Sequence, residues 1–88
     1  MTYKVAVFAG DGIGPEVVGE ALEVLKVVEK RFGLSFICEH ALAGGCSIDA
    51  HGVALTDSAL RVATESDAVL LGAVGGPKWD DPKSSVRP

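Results

Sequence analysis

The opening of the chain constrains its fold most. Tyr3 to Ala9, "YKVAVFA", runs directly into "GDGIGPE" and from there into a long amphipathic stretch. After Lys4 the first run is β-branched, aromatic and apolar without alternation. That pattern suits a strand buried on both faces, as in a parallel sheet. Pro15 falls where a first helical turn begins, and its missing N–H does no harm there. Glu16 adds an acid at the positive end of that helix dipole. Val18, Ala21, Leu22, Leu25, Val28 and Phe32 recur at three- and four-residue spacing and predict one inward apolar stripe. Glu20, Glu23, Lys26, Glu29 and Lys30 fall on the opposite face, and Gly33 is the expected stop.

The rest continues the alternation. Leu34, Phe36 and Cys38 alternate with Ser35, Ile37 and Glu39, predicting a second strand. Residues 44 to 55, "GGCSIDAHGVAL", read as a Gly-rich loop with room for one short turn. Thr56 or Asp57 can cap a second helix, with Leu60, Val62 and Ala63 facing inward and Asp67 beyond its end. "AVLLGAV", residues 68 to 74, predicts a third buried strand. The order β-α-β-α-β implies an α/β fold with parallel pairing. Residues 75 to 88 hold three of the four prolines and the one tryptophan. Long structureless loops are uncommon in compact domains and often functional. Two helices cover a three-stranded parallel sheet poorly, so the expectation is a piece of a larger protein, cut within this loop.

Composition excludes several classes. The net charge is −4 and the basic residues are scattered, with Lys26, Lys30 and Arg31 near a helix end and Lys78, Lys83 and Arg87 in the last segment. Nucleic-acid binding needs basic residues gathered on one face, so no nucleic-acid partner is expected. No apolar run approaches the ~20 residues of a membrane span. Val5 to Ala9 is too short for a signal-peptide core, and Asp11 follows at once. The expectation is a cytoplasmic protein with no membrane partner. A mean hydropathy of +0.32 argues against disorder. Cys38 and Cys46 form no CxxC and no zinc-like cluster with His40 and His51, predicting free, partly buried thiols in a reducing compartment.

Gly10, Gly12 and Gly14 look like a dinucleotide fingerprint, but the sixth position is Pro15 rather than glycine. The acid expected about 20 residues on is also poorly met, Glu39 being the nearest. No Gly-Lys-Ser/Thr follows, so the P-loop reading fails as well. Two readings of these glycines remain: ordinary turn residues, or an anion or ligand site at the helix N-terminus. For Asp11 and Glu16, acid–base work competes with the cheaper reading of local capping and turn hydrogen bonds. Asp80 and Asp81 read as solvated loop acids rather than metal ligands. Lys78 and Arg87 either meet an anionic cofactor or are surface charges. Trp79 is a loop anchor or a cofactor contact, and His40 and His51 read as structural or exposed.

"GDGIGPEV" after an N-terminal strand, "GG" with "ID" and "HG" in residues 44 to 52, and "DAVLLGAVGGPKWD" at 67 to 80 together resemble the isocitrate/isopropylmalate dehydrogenase family. The likeness runs over essentially all 88 residues. "GDGIG" is shared across the family, whereas "GAVGGPKWD" resembles the isopropylmalate branch and disfavours the tartrate and isocitrate branches. The resemblance implies the N-terminal portion of that family's α/β fold, which is not a Rossmann fold. It also implies oxidation of the 2-hydroxyl of 3-isopropylmalate by NAD with loss of a carboxylate, in leucine biosynthesis, by a homodimer using magnesium or manganese.

By resemblance the cofactor-binding residues are Ile13, Gly75, Gly76, Pro77, Lys78, Trp79, Asp80, Asp81, Pro82, Lys83, Ser84, Ser85, Val86, Arg87 and Pro88. Ile13 is expected near the nicotinamide, with Gly12 and Gly14 leaving room there. Gly75 and Gly76 allow close backbone approach, and the prolines stiffen the loop. Cys46 stands where the family often has a small alanine. The family's nicotinamide-contacting glutamate, substrate-gripping arginines, three metal-binding aspartates and proton-handling tyrosine and lysine all fall beyond residue 88. Residues 1 to 88 are therefore expected to hold no catalytic residue and to be inactive alone, and a non-catalytic truncated chain is the alternative.

Overall fold

The computed structural model describes residues 1–80, Val86 and Pro88. Its elements are β1 (Thr2–Gly10), α1 (Gly14–Phe32), β2 (Ser35–His40), α2 (Gly45–His51), α3 (Asp57–Glu65), β3 (Ala68–Ala73) and a 3-10 turn, Pro77–Trp79. The three strands form one parallel sheet in the order β2-β1-β3. The first strand in sequence is thus the central strand in space.

That position explains the unbroken apolar run. Val5 and Val7 pack with Val18 and Leu22 of α1, while Ala6 and Phe8 pack with Ala59, Val62 and Ala63 of α3. Alternate residues of one strand feed two cores, as side-chain alternation requires. All four are buried. Fully burying a residue such as Val7 stabilises the fold by about 1.5–3 kcal/mol.

The caps fall where the residue types demand them. Pro15 lies in the first turn of α1, and the Gly33 N–H bonds the Glu29 carbonyl at φ 64°. Thr56 caps α3, its Oγ1 accepting from the Ala59 N–H at 3.1 Å. Asp67 ties the start of β3 to β1, its carboxylate accepting from the Lys4 N–H and its own N–H donating to the Lys4 carbonyl, both at 2.8 Å.

Four expectations need correction. Residues 45–51 form a helix, α2, and not a loop. Glycine, serine and aspartate are poor helix formers, so propensity hides this element, and tertiary bonds to its first amides hold it. β3 is an edge strand, and Val69 and Leu71 on it are 52% and 55% exposed. Ala59 is the buried residue of α3 and Leu60 is outward, because Ala59 shares one helix face with Val62 and Ala63, which pack inward as expected, at i, i+3 and i+4. Phe32, at the last turn of α1, is exposed and not part of the inward stripe.

Candidate functional site

The strand order reverses between β1 and its two neighbours, and at such switch points the loops leaving the carboxyl ends of adjacent strands part to leave a crevice. Here the crevice lies between β1 and β3. Gly10 pairs with Ala73 in the last register position, and the Asp11 N–H donates to the Ala73 carbonyl at 2.7 Å. The β1 chain then turns through residues 11–13 into α1. Gly14 is buried against the strand ends, and a Cβ there would overlap the Ala9 carbonyl oxygen. Gly14 is required by close packing, which neither of the two readings of the opening glycines describes.

The Asp11 side chain organises the crevice. One carboxylate oxygen accepts from the Gly45 N–H at 2.6 Å and from the Gly75 N–H at 3.0 Å. The other accepts from the Cys46 N–H at 2.7 Å. The expectation of local turn bonds is therefore wrong for this carboxylate: its partners lie 34, 35 and 64 positions away. Burial works against the charge, but the amides of Gly75, Gly45 and Cys46, with help from the Cys46 thiol, outweigh it. The carboxyl is held below its ordinary value. Hydrogen bonds to an ionised acceptor are about twice as strong as neutral ones. Glu16, in the first turn of α1, is exposed.

Around Asp11 lies an open groove of ≈ 410 Å³, walled by Gly10 and Gly12 on the β1 side, Gly45, Cys46 and Asp49 on α2, and Gly75 to Trp79. Trp79 is a loop anchor: its indole packs so tightly on Gly45 that a Cβ there would collide with it. Trp79 also lines the groove. Lys78 pairs with Asp49 at 2.8 Å and lies 4.8 Å from the Trp79 ring centre. Both partners of that pair are mostly exposed, so its contribution to stability is about 0–1 kcal/mol. Side chains built at Gly75 or Gly76 would enter open space, so the backbone there is bare.

Five of the expected cofactor residues, Gly75, Gly76, Pro77, Lys78 and Trp79, thus come together on one wall. Ile13 caps α1 and is 66% exposed, outside the groove lining. Asp80 is exposed, its N–H closing the 3-10 turn on the Pro77 carbonyl. Val86 and Pro88 are half-buried. Asp81, Pro82, Lys83, Ser84, Ser85 and Arg87 lie outside the described residues. The opposite wall, Asp11, Gly45, Cys46 and Asp49, escapes sequence reasoning; an acid flanked by glycines at 10 and 12 is the one signal. Cys38 and Cys46 are free thiols, and Cys46 Sγ donates to the Ala43 carbonyl at 3.2 Å. His40 and His51 are exposed.

Among the described residues, no three His, Cys, Asp or Glu side chains converge as metal ligands. No helix among them is long and apolar enough to cross a membrane.

Comparison with known proteins agrees with the fold. The family model described as isocitrate/isopropylmalate dehydrogenase matches residues 4–88. The 3-isopropylmalate dehydrogenase of Anaeromyxobacter dehalogenans is 58% identical over 88 residues, all of this chain and 25% of that protein. Its namesake from Geobacillus kaustophilus is 57% identical over 98% of this chain and 23% of its own length. This chain thus spans about a quarter of the curated relatives it matches. A crystal structure of a beta-decarboxylating dehydrogenase from Thermococcus kodakarensis superposes with a TM-score of 0.71 at 40% identity, covering 85% of this chain and 21% of that one. Isocitrate dehydrogenase from Methylococcus capsulatus gives 0.67 at 27% identity, over 84% and 22%. The chain belongs to the isocitrate/isopropylmalate dehydrogenase family.

Proposed function

We propose that residues 1–88 are the amino-terminal part of a 3-isopropylmalate dehydrogenase. That enzyme oxidises the 2-hydroxyl of (2R,3S)-3-isopropylmalate with NAD and releases a carboxylate as carbon dioxide, a step of leucine biosynthesis. The observation that carries the reading is the groove at the β1/β3 switch point, walled by the bare backbone of Gly75 and Gly76. Identities of 58% and 57% to relatives of that name support the isopropylmalate branch over the isocitrate branch, whose solved neighbour stands at 27%.

NAD, when bound, supplies the hydride acceptor. The groove suits part of a dinucleotide: at ≈ 410 Å³ it lies within the usual range for small-molecule sites, with glycine edges that admit close approach. Gly75 to Trp79 bind and orient the cofactor, and Asp80, Asp81, Pro82, Lys83, Ser84, Ser85, Val86, Arg87 and Pro88 contribute to binding the same cofactor. Ile13, exposed and outside the groove lining, offers an apolar side chain to the nicotinamide end of the cofactor. Lys78 offers a cation to an anionic cofactor at the cost of its exposed pair with Asp49. The described residues do not fit magnesium or manganese, since no three carboxylate, imidazole or thiol groups converge among them. No residue of this segment acts on the substrate directly. A cytoplasmic homodimer is part of the same reading.

The test is production of NADH by the full-length protein that carries this segment, with isopropylmalate, NAD and magnesium. Activity on isopropylmalate well above that on isocitrate and tartrate is expected; a reversed preference overturns the assignment. Residues 1–88 alone are expected to give no NADH and to bind NAD more weakly than the micromolar range in calorimetry.

A further inference from the structure

We propose that Asp11 is a positioning residue for the cofactor: its carboxylate sets the spacing of the groove walls by holding backbone amides of both. The proposal rests on the reading of this groove as the NAD site. Its structural basis is the convergence of three backbone amides from two separate segments on a single side chain. Gly45 and Cys46 open α2 on one wall, and Gly75 opens the loop of the other. Asp11 itself is fixed to the end of β3 through its own N–H. One side chain therefore clamps both walls to the strand ends.

Two other contacts join the walls, the Trp79 indole packed on Gly45 and the Lys78–Asp49 pair, but among the described residues Asp11 is the side chain that accepts amides from both walls. Among the described residues, the Trp79 and Asp80 N–H groups bond within the loop, to Gly76 and Pro77, and the Lys78–Asp49 pair is exposed. The groups around the carboxylate are the Cys46 thiol, which also bonds the Ala43 carbonyl, and Asp49 and Lys78, which pair with each other. No lysine or arginine among the described residues forms an ion pair with Asp11. Its charge is met by amide donors, whose geometry is directional. Asparagine is nearly isosteric but turns an N–H₂ donor toward at least one of those amides, replacing an attraction between donor and acceptor with two opposed donors.

In the full-length enzyme, Asp11→Asn is expected to raise KM for NAD about tenfold, a loss of about 1.4 kcal/mol. KM for isopropylmalate and kcat are expected to change far less. Hydrogen exchange is expected to quicken in peptides covering residues 45–47 and 74–79 and to stay unchanged in β1. A role in overall stability alone would lower the melting temperature without this split. If the asparagine variant does not fold, Asp11→Ser keeps one acceptor, introduces no N–H, and is read by the same split. A folded variant with unaltered KM for NAD overturns the proposal. Calorimetry separates it from the functional reading: a wild-type protein that binds NAD but leaves isopropylmalate unoxidised overturns only the substrate, with Asp11 still supported if its variant weakens NAD binding. A wild-type protein that binds no NAD overturns both.

Discussion

The middle of β1 and the rim at its carboxyl end are held by opposite means. In the middle, Val5 and Val7 face one helix and Ala6 and Phe8 the other, and stability comes from apolar area removed from water. At the rim there is little side chain to bury. Gly14 and Gly45 bring backbone into close contact, and the Asp11 carboxylate gathers three amides. The middle tolerates any apolar residue of similar volume. The rim depends on direction, so replacing a single atom there changes the groove while the sheet stands.

Phe8→Ala breaks the comparison from the side of the core. A loss of about 3–5 kcal/mol in denaturant unfolding of the intact protein is expected, with the sheet and the groove lost together. A smaller loss confined to the groove would mean that the two regions are not built as described. Gly45→Ala attacks the rim: its Cβ collides with the Trp79 indole, for an expected cost of about 1–3 kcal/mol. Tryptophan fluorescence should shift while far-ultraviolet circular dichroism does not.

Acid sharpens the contrast further. The folded Asp11 carboxyl lies below its ordinary value of 3.8, so its contribution is complete above that pH and is lost as pH falls through the lower folded value. Exchange at Gly45 and Gly75 should accelerate in that window before β1 does; simultaneous loss would contradict a separately held rim. Lys78→Ala is the smallest change. Removing its exposed pair with Asp49 should cost less than about 1 kcal/mol, read as a shift in melting temperature.

The framework is legible in the sequence because burial leaves a periodic trace. The unbroken run of β1 marks a strand with two covered faces, and Pro15, Gly33 and Thr56 mark helix ends through local chemistry. Edge exposure on β3 is not legible, since strand order is a property of the assembled sheet. α2 is hidden for a related reason: its first amides bond Asp11, 34 and 35 positions away, and its buried side chain is the polar Ser47, which bonds the Val53 carbonyl, so no apolar period marks the helix. One groove wall, Gly75 to Trp79, stands out by composition. The other is built of main-chain donors, which every residue carries, so composition is silent about it.

Whether Asp11 holds the cofactor wall is best read from hydrogen exchange of the Gly75 amide in the full-length protein, with and without saturating NAD. Slow exchange is expected without cofactor, because Asp11 accepts that N–H, and further protection across residues 75–79 when NAD is added. Protection by NAD that bypasses this loop, or free exchange at Gly75 in the unliganded protein, would contradict this role of Asp11.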